Sequence, residues 1–195
     1  RSHGPASGFG AVTDLRQAGP AAVWASTETG VYSYDGKRWR RRLPAARFPF
    51  VIPAVAERAD ESAIAAITRP VGLAGIWEWG PDGEPRRVTE YLASPIASIA
   101  DAPGGDTIAG HSTGEISVRR NGGWEPLRTP TGRLVDVRAV GYLRSGPDLW
   151  IATDHGLYLH RRSARRWRYL SFPSPDEANS VNEIVRGRDG TMWFA

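Results

Sequence analysis

Val23-Trp24-Ala25-Ser26-Thr27-Glu28-Thr29-Gly30-Val31-Tyr32 and Leu149-Trp150-Ile151-Ala152-Thr153-Asp154-His155-Gly156-Leu157-Tyr158 align without a gap. They stand 126 residues apart, three times 42, and a period of that size is the mark of a repeat architecture. Dividing the interval predicts related segments near 66 and 108 and a fifth near 192, and all three occur. The position of Trp24 recurs as Ile64, Ile108, Trp150 and Trp193, at steps of 40, 44, 42 and 43. Small residues follow it: Ala25-Ser26, Ala65-Ala66, Ala109-Gly110, then Ala152 and Ala195.

Working outward, an apolar pair spaced by three residues precedes each copy: Val12 and Leu15, Ile52 and Val55, Ile96 and Ile99, Val137 and Val140, Val181 and Ile184. Turn signals separate the pair from the Trp or Ile position, at Ala18-Gly19-Pro20, Pro103-Gly104-Gly105-Asp106, Ser145-Gly146-Pro147-Asp148 and Arg188-Asp189-Gly190. After the second run comes a glycine, at Gly30, Gly75, Gly114 or Gly156, whose freedom at positive φ suits a tight turn. A β-rich third run follows each glycine (Val31 to Tyr34, Ile76 to Trp79, Ile116 to Val118, Leu157 to Leu159). A hairpin signal such as Asp35-Gly36, Gly80-Pro81-Asp82-Gly83 or Asn121-Gly122-Gly123 leads into a fourth run holding Trp39, Val88, Trp124 or Trp167. Four short antiparallel strands per unit predict an all-β fold of the β-propeller kind. The blades span 9–44, 45–94, 95–131 and 132–175, with a partial fifth at 180–195, in a single propeller region over 1–195. A β-sandwich also uses many short strands, but it has no reason to repeat one pattern every 42 residues. The density of Gly and Pro leaves no long stripe of helical period.

Composition agrees with a packed domain and excludes several classes. Of 195 residues 41% are hydrophobic and 24% charged, the balance of an ordinary globular chain. No run approaches the roughly 18 apolar residues of a membrane-spanning helix, and the opening RSHGPASG reads as neither a signal nor a transit peptide. With no Cys there is no disulfide, thiolate metal site or Cys nucleophile. The net charge of +4 is modest, and every basic residue but Lys37 is Arg, which reads as codon bias before phosphate recognition.

At Arg188-Asp189-Gly190-Thr191-Met192-Trp193-Phe194-Ala195, and over the two aligned segments above, the chain resembles the two-component regulator propeller repeat. That repeat builds the sensor region of bacterial hybrid histidine kinases and related diguanylate cyclase receptors. Units one and four carry its pattern, whereas units two and three replace the Trp by Ile64 and Ile108, and Arg69 to Ala74 form an inserted loop. The resemblance implies a non-catalytic, ligand-sensing domain in the periplasm or outside the cell, membrane-anchored in the full protein, with a carbohydrate or other small ligand and no cofactor. It also implies a ring of about seven blades. Four and a half units then read as part of a larger propeller whose remainder comes from a longer chain or another chain, with self-association as the expected behaviour of the exposed faces.

Few residues fit other chemistry. The histidines His3, His111, His155 and His160 show no HExxH or His-x-His spacing, and no carboxylate cluster has metal spacing. Ser26, Ser112 and Ser180 lack a nucleophile elbow. The alternatives are an enzyme built on a propeller, acting on polysaccharide or lactone, and a protein-binding scaffold. The candidate ligand residues are Glu28, His111, Asp154 and His155 at the glycine turns, together with Arg47, Phe48 and Phe50 in the connection before unit two. Phe172 to Asn179 form the matching connection before unit five. Each has a plainer reading: the acids as turn formers, the imidazoles as groups satisfied within the turn, and the aromatic residues as plugs between blades. Arg38, Arg40, Arg41 and Arg42 around Trp39, and Arg161, Arg162, Arg165, Arg166 and Arg168 around Trp167, read as charge protecting exposed edge strands rather than as a nucleic-acid surface. The Trp residues are expected to recur as packing between neighbouring sheets, with one of Trp77 and Trp79 in the core.

Overall fold

A computed structural model of the chain describes residues 9–17, 23–43, 46–47, 49–57, 62–80, 84–89, 94–101, 106–131, 134, 137–142, 148–161, 163–171, 180–187, 189 and 191–195. The turn segments Ala18 to Pro20, Pro81 to Gly83, Pro103 to Gly105 and Ser145 to Pro147, with Arg188 and Gly190, lie outside the described residues. So do Phe48, Arg162 and the connection Phe172 to Asn179.

The chain divides into two compact units, Arg1–Ala93 and Ser94–Ala195. In the first, β1 (Val12–Gln17), β2 (Val23–Thr27), β3 (Gly30–Tyr34) and β4 (Trp39–Arg41) form one antiparallel meander. A second meander holds β5 (Ala54–Glu57), β6 (Ala63–Ile67), β7 (Gly75–Trp79) and β8 (Pro85–Thr89). The second unit repeats the plan with β9 (Ile96–Asp101), β10 (Thr107–His111), β11 (Ile116–Arg120) and β12 (Gly123–Pro126), and again with β13 (Val137–Tyr142), β14 (Leu149–Thr153), β15 (Gly156–Arg161) and β16 (Arg166–Leu170). A two-stranded sheet of β17 (Ile184–Arg186) and β18 (Met192–Phe194) follows. The inserted loop holds a single 3-10 turn, Val71–Leu73.

Trp24, Ile64, Ile108, Trp150 and Trp193 all fall in the second strand of their sheets. Gly30, Gly75, Gly114 and Gly156 take φ of 136°, 135°, 95° and 123°, the region that glycine alone enters at no steric cost. A side chain at Gly75 would run into the Thr89 carbonyl oxygen, and one at Gly156 would lie 2.8 Å from that of Leu170. At Asn121 and Gly122, φ of 50° and 84° makes the two-residue hairpin turn whose twist matches its strands.

The apolar pairs explain themselves through a bulge. Residues three apart on a regular strand face opposite sides, yet Val137 and Val140 pack into one cluster with Ile108 and Ile116. The ladder slips by one residue between Val12 and Asp14, between Ile96 and Ser98, and between Val137 and Ala139. The extra residue, Thr13, Ala97 or Arg138, brings both members of the pair onto the same face. In the second sheet Pro53 stands there instead, and the ladder begins after it at Ala54.

Between adjacent sheets of a unit the cores are apolar. Trp24, Val31, Phe50, Ile52, Val55 and Trp79 share one cluster, with the Trp24 and Trp79 rings 5.8 Å apart. Trp150 meets Phe194 at 5.2 Å. Of the strand-three pair, Trp79 is core and Trp77 packs at its margin. The small residues after the Trp position have a steric reason, since a Cβ on Gly110 would lie 2.6 Å from a methyl of Val137. Of the fourth-strand Trp residues, Trp167 packs against the cluster that joins the third and fourth sheets. Trp39 and Trp167 also stack within their own sheet on their cross-strand neighbours Tyr34 and His160, at 5.1 and 4.5 Å.

Candidate functional site: the strand-two turns and their docked connections

The turn after the second strand is built by its own threonine. Thr27 donates its hydroxyl to the Gly30 carbonyl at 3.0 Å and accepts the Thr29 N–H at 3.1 Å; Thr153 does the same with Gly156 at 2.9 Å and His155 at 3.2 Å. The outermost strand then closes over the turn. The Arg41 guanidinium grips the Thr29 carbonyl, that of Arg87 the Ala74 carbonyl, and the Tyr169 hydroxyl the His155 carbonyl. These contacts give the edge-strand arginines their work: they hold the glycine turns.

The connections dock on the same turns. The N–H of Phe50 donates to the Glu28 carbonyl at 2.7 Å, that of Leu134 to Gly114 at 2.9 Å, and that of Val181 to Thr153 at 3.0 Å. Each docked residue drives its side chain between two sheets, so Phe50 is buried in the core of the first unit.

The bulges aim the last ingredients. Thr13 bonds the Ser26 hydroxyl at 2.9 Å and the Ile52 carbonyl at 3.0 Å. Arg138 reaches Asp154 through Nε at 2.6 Å and a second nitrogen at 2.7 Å, the bidentate geometry of a strong charge-assisted pair. Ser180 donates to Asp154 at 3.3 Å, and Asn182 lies 3.5 Å from the Ser180 hydroxyl.

The structure therefore sorts the sequence candidates. Asp154 belongs to the Arg138 pair, with His155 exposed beside it. Glu28 is exposed, its carboxylate 3.4 Å from the Ala11 N–H, and Arg47 is exposed on the connection that ends at Phe50. His111 is buried. Its Nδ1 lies 3.1 Å from the Ser94 carbonyl and 3.0 Å from the Ser94 hydroxyl, and its Nε2 lies 2.9 Å from the Ser117 hydroxyl. A carbonyl only accepts, so Nδ1 carries a proton, and Nε2 is bonded to the Ser117 hydroxyl. Glu115 is 3.5 Å from the Ser94 hydroxyl. His111 thus ties β10, β11 and the approach to β9 together. Sequence reasoning missed Thr27, Thr153, Arg138, Ser180 and Asn182. The two threonines were visible as matched positions of the aligned segments; the other three were not, because they meet Asp154 only through the fold. Among the described residues no group of three or more His, Cys, Asp or Glu could hold a metal ion, and no helix is long and apolar enough to cross a membrane.

No protein-family model matches the chain, and no curated protein sequence matches it. Solved structures do. The chain resembles YCF48 bound to D1 peptide at 17% identity with a TM-score of 0.62, covering 90% of this chain and 58% of that one. It resembles a domain described as the extracellular part of a hybrid two component system from B. thetaiotaomicron at 14% identity and a TM-score of 0.65, over 94% of this chain and 26% of that one. It also resembles an ancestral GH74 enzyme at 17% identity and a TM-score of 0.66, over 95% of this chain and 27% of that one. At such identities the likeness is one of fold. The chain is all-β, with four complete four-stranded blades of a β-propeller and a two-stranded fifth sheet, and it spans 58% of the first neighbour and about a quarter of the other two.

Proposed function

We propose that this chain is the non-catalytic ligand-sensing propeller of an extracytoplasmic, two-component-type receptor, acting in the periplasm or outside the cell. The observation that carries the reading is the pair of motif turns at Thr27 to Gly30 and Thr153 to Gly156. They share a threonine clamp, a positive-φ glycine and a docked connection, and they are the residues on which the resemblance to the sensor repeat rests. The likeness to extracellular domains of two component systems supports the same reading. The ligand-facing groups are those the scaffold leaves at the surface: Glu28 and Arg47 in one unit, and His155, Asn182 and the Arg138–Asp154 pair in the other. Hydroxyl-rich ligands suit such a mixture of charged and amide groups, so a carbohydrate is the favoured class.

Calorimetric titration with a panel of neutral and acidic oligosaccharides tests this. Saturable binding without product, weakened about tenfold or more by His155→Ala or Asn182→Ala, is the expected result. Release of reducing ends or lactone hydrolysis would make the chain an enzyme, as the GH74 neighbour is. Failure of every sugar together with saturable binding of an extended peptide would make it a protein-binding scaffold, in the manner of the peptide-bound YCF48.

A further inference from the structure

The outermost strand of a sheet leaves a row of backbone N–H and C=O groups without a neighbouring strand, and the four-stranded sheets manage that row differently. β4 is three residues long. β8 begins at Pro85, and its ladder with β7 slips between Ile76 and Trp77. β12 ends at Pro126. β16 has none of these devices. It runs for five residues without a proline, and its ladder is regular from Leu157 opposite Leu170 to Arg161 opposite Arg166.

Charge sets the same strand apart. The hairpin 30–41 holds Asp35, the hairpin 75–89 holds Glu78 and Glu84, and the hairpin 114–126 holds Glu115 and Glu125. Arginines of those hairpins use the acids: Arg40 meets Asp35 at 3.1 Å, Arg86 meets Glu78 at 2.8 Å, and Arg120 meets Glu125 at 2.8 Å. The hairpin 156–170 instead carries five arginines, Arg161, Arg162, Arg165, Arg166 and Arg168, and no Asp or Glu. Its glycine turn occupies none of them, because Tyr169 takes the part of Arg41 and grips the His155 carbonyl. Arg161 lies 3.9 Å from Asp148. Among the described residues no ion pair or hydrogen bond engages the side chains of Arg165, Arg166 and Arg168, and all three are exposed.

We propose that the outer edge of β16 is a docking site for an extended acidic peptide segment of another protein, which adds to the sheet as a fifth strand. Backbone groups of alternate β16 residues point away from β15 and supply the new ladder. Arg166 and Arg168, two residues apart, share one face of the strand, so acidic side chains at alternate positions of the incoming segment meet them. Charge chooses the occupant. A second β16 would set arginine against arginine, which disfavours pairing between copies, whereas an acidic strand brings the opposite sign. A single-stranded nucleic acid needs open aromatic faces for its bases. Here the rings stack on one another, His160 on Trp167 at 4.5 Å and Tyr158 on Tyr169 at 5.0 Å.

Fluorescence anisotropy with a labelled, end-capped peptide of four Thr-Glu repeats tests the site. The parent should bind it saturably, and less tightly as salt rises. Arg166→Glu combined with Arg168→Glu should weaken binding about tenfold or more, and should gain binding of the matching Thr-Lys peptide. Both positions are exposed, so the variant should keep the far-UV circular dichroism spectrum and cooperative melt of the parent. A Thr-Glu peptide N-methylated at every residue keeps the charge, offers no backbone donor, and should bind at least tenfold more weakly. A parent that does not bind the Thr-Glu peptide overturns the proposal, and so does binding that the double variant retains. Equal affinity for the N-methylated peptide also overturns it, since charge would then act without a strand. Displacement of the peptide by a single-stranded oligonucleotide at lower concentration than by unlabelled peptide would make the hairpin a nucleic-acid surface instead.

Discussion

Asp14 is a carboxylate placed where the chain needs an acceptor more than a charge. It sits at the middle of β1, receives the Val55 N–H from the next sheet, and lies 3.2 Å from Arg16 Nε. Burial raises its carboxyl above the ordinary value of 3.8, outweighing the opposing pull of Arg16 and of the backbone N–H groups. A carboxyl whose value is raised on folding binds its proton more tightly in the folded state. Its contribution to stability is therefore full below 3.8 and is lost as the pH rises through the folded value. Asp14→Asn carries no such dependence and keeps a side-chain oxygen for the Val55 N–H. Urea unfolding at several pH values should therefore show the variant at its most favourable relative to the parent at pH 7, with that advantage shrinking or reversing toward pH 4. An advantage that grows on acidification would mean that the carboxyl value is lowered, not raised. In the equivalent position Ser98 does the same structural work without a charge.

At the scale of the strand, the i, i+3 spacing of the apolar pairs carries information that periodicity alone misassigns. Three is neither the step of a strand face nor enough for a helix, and the bulge at Thr13, Ala97 and Arg138 resolves it. Inserting an alanine between Ser98 and Ile99 lengthens the spacing by one, which the single extra residue at Ala97 no longer reconciles, and should turn Ile96 or Ile99, both buried, to the wrong face. Losing the burial of one such side chain costs about 2–3 kcal/mol, whereas Ala97→Gly keeps the bulge and should cost no more than about 1 kcal/mol. Chemical denaturation of the two variants distinguishes the cases, and equal stabilities would show that the bulge does not set the face. The strands themselves were legible because the second-strand Trp, the following glycine and turns such as Asn121-Gly122 are local signals. The candidate site was legible only in part. The partner of Asp154 is Arg138, 16 residues away, and the imidazole of His111 closes on Ser94, 17 residues away; such pairings leave no periodic trace. Phe50 shows the other difficulty. An aromatic residue in a connection reads equally as a ligand platform or as a plug, and only its burial beneath the turn that holds Glu28 decides for the plug.

Over the whole chain the question is what 24 arginines are for when the net charge is only +4. The ion pairs are spread through the sheets instead of gathered on one strand: Arg16 with Asp14, Arg40 with Asp35, Arg86 with Glu78, Arg120 with Asp106 and Glu125, Arg138 with Asp154. Arg41 and Arg87 are spent on turn carbonyls, and Arg42 bonds the Ser33 hydroxyl at 2.7 Å while lying over the Trp24 ring. A nucleic-acid surface needs the opposite arrangement, with cations left free to replace the counterions of several phosphates at once. A chain with this charge distribution should neutralise fewer than about four phosphates, so the slope of log affinity against log salt for a labelled DNA duplex should be shallower than about −3.6. Binding seen by fluorescence anisotropy at low ionic strength should then be weaker than about 10⁻⁴ M at physiological salt, below the usual non-specific range. A slope of about −6 or steeper would mean that the arginines converge on one phosphate-binding face, and the structural work assigned to them at the glycine turns would have to be shared with nucleic-acid recognition.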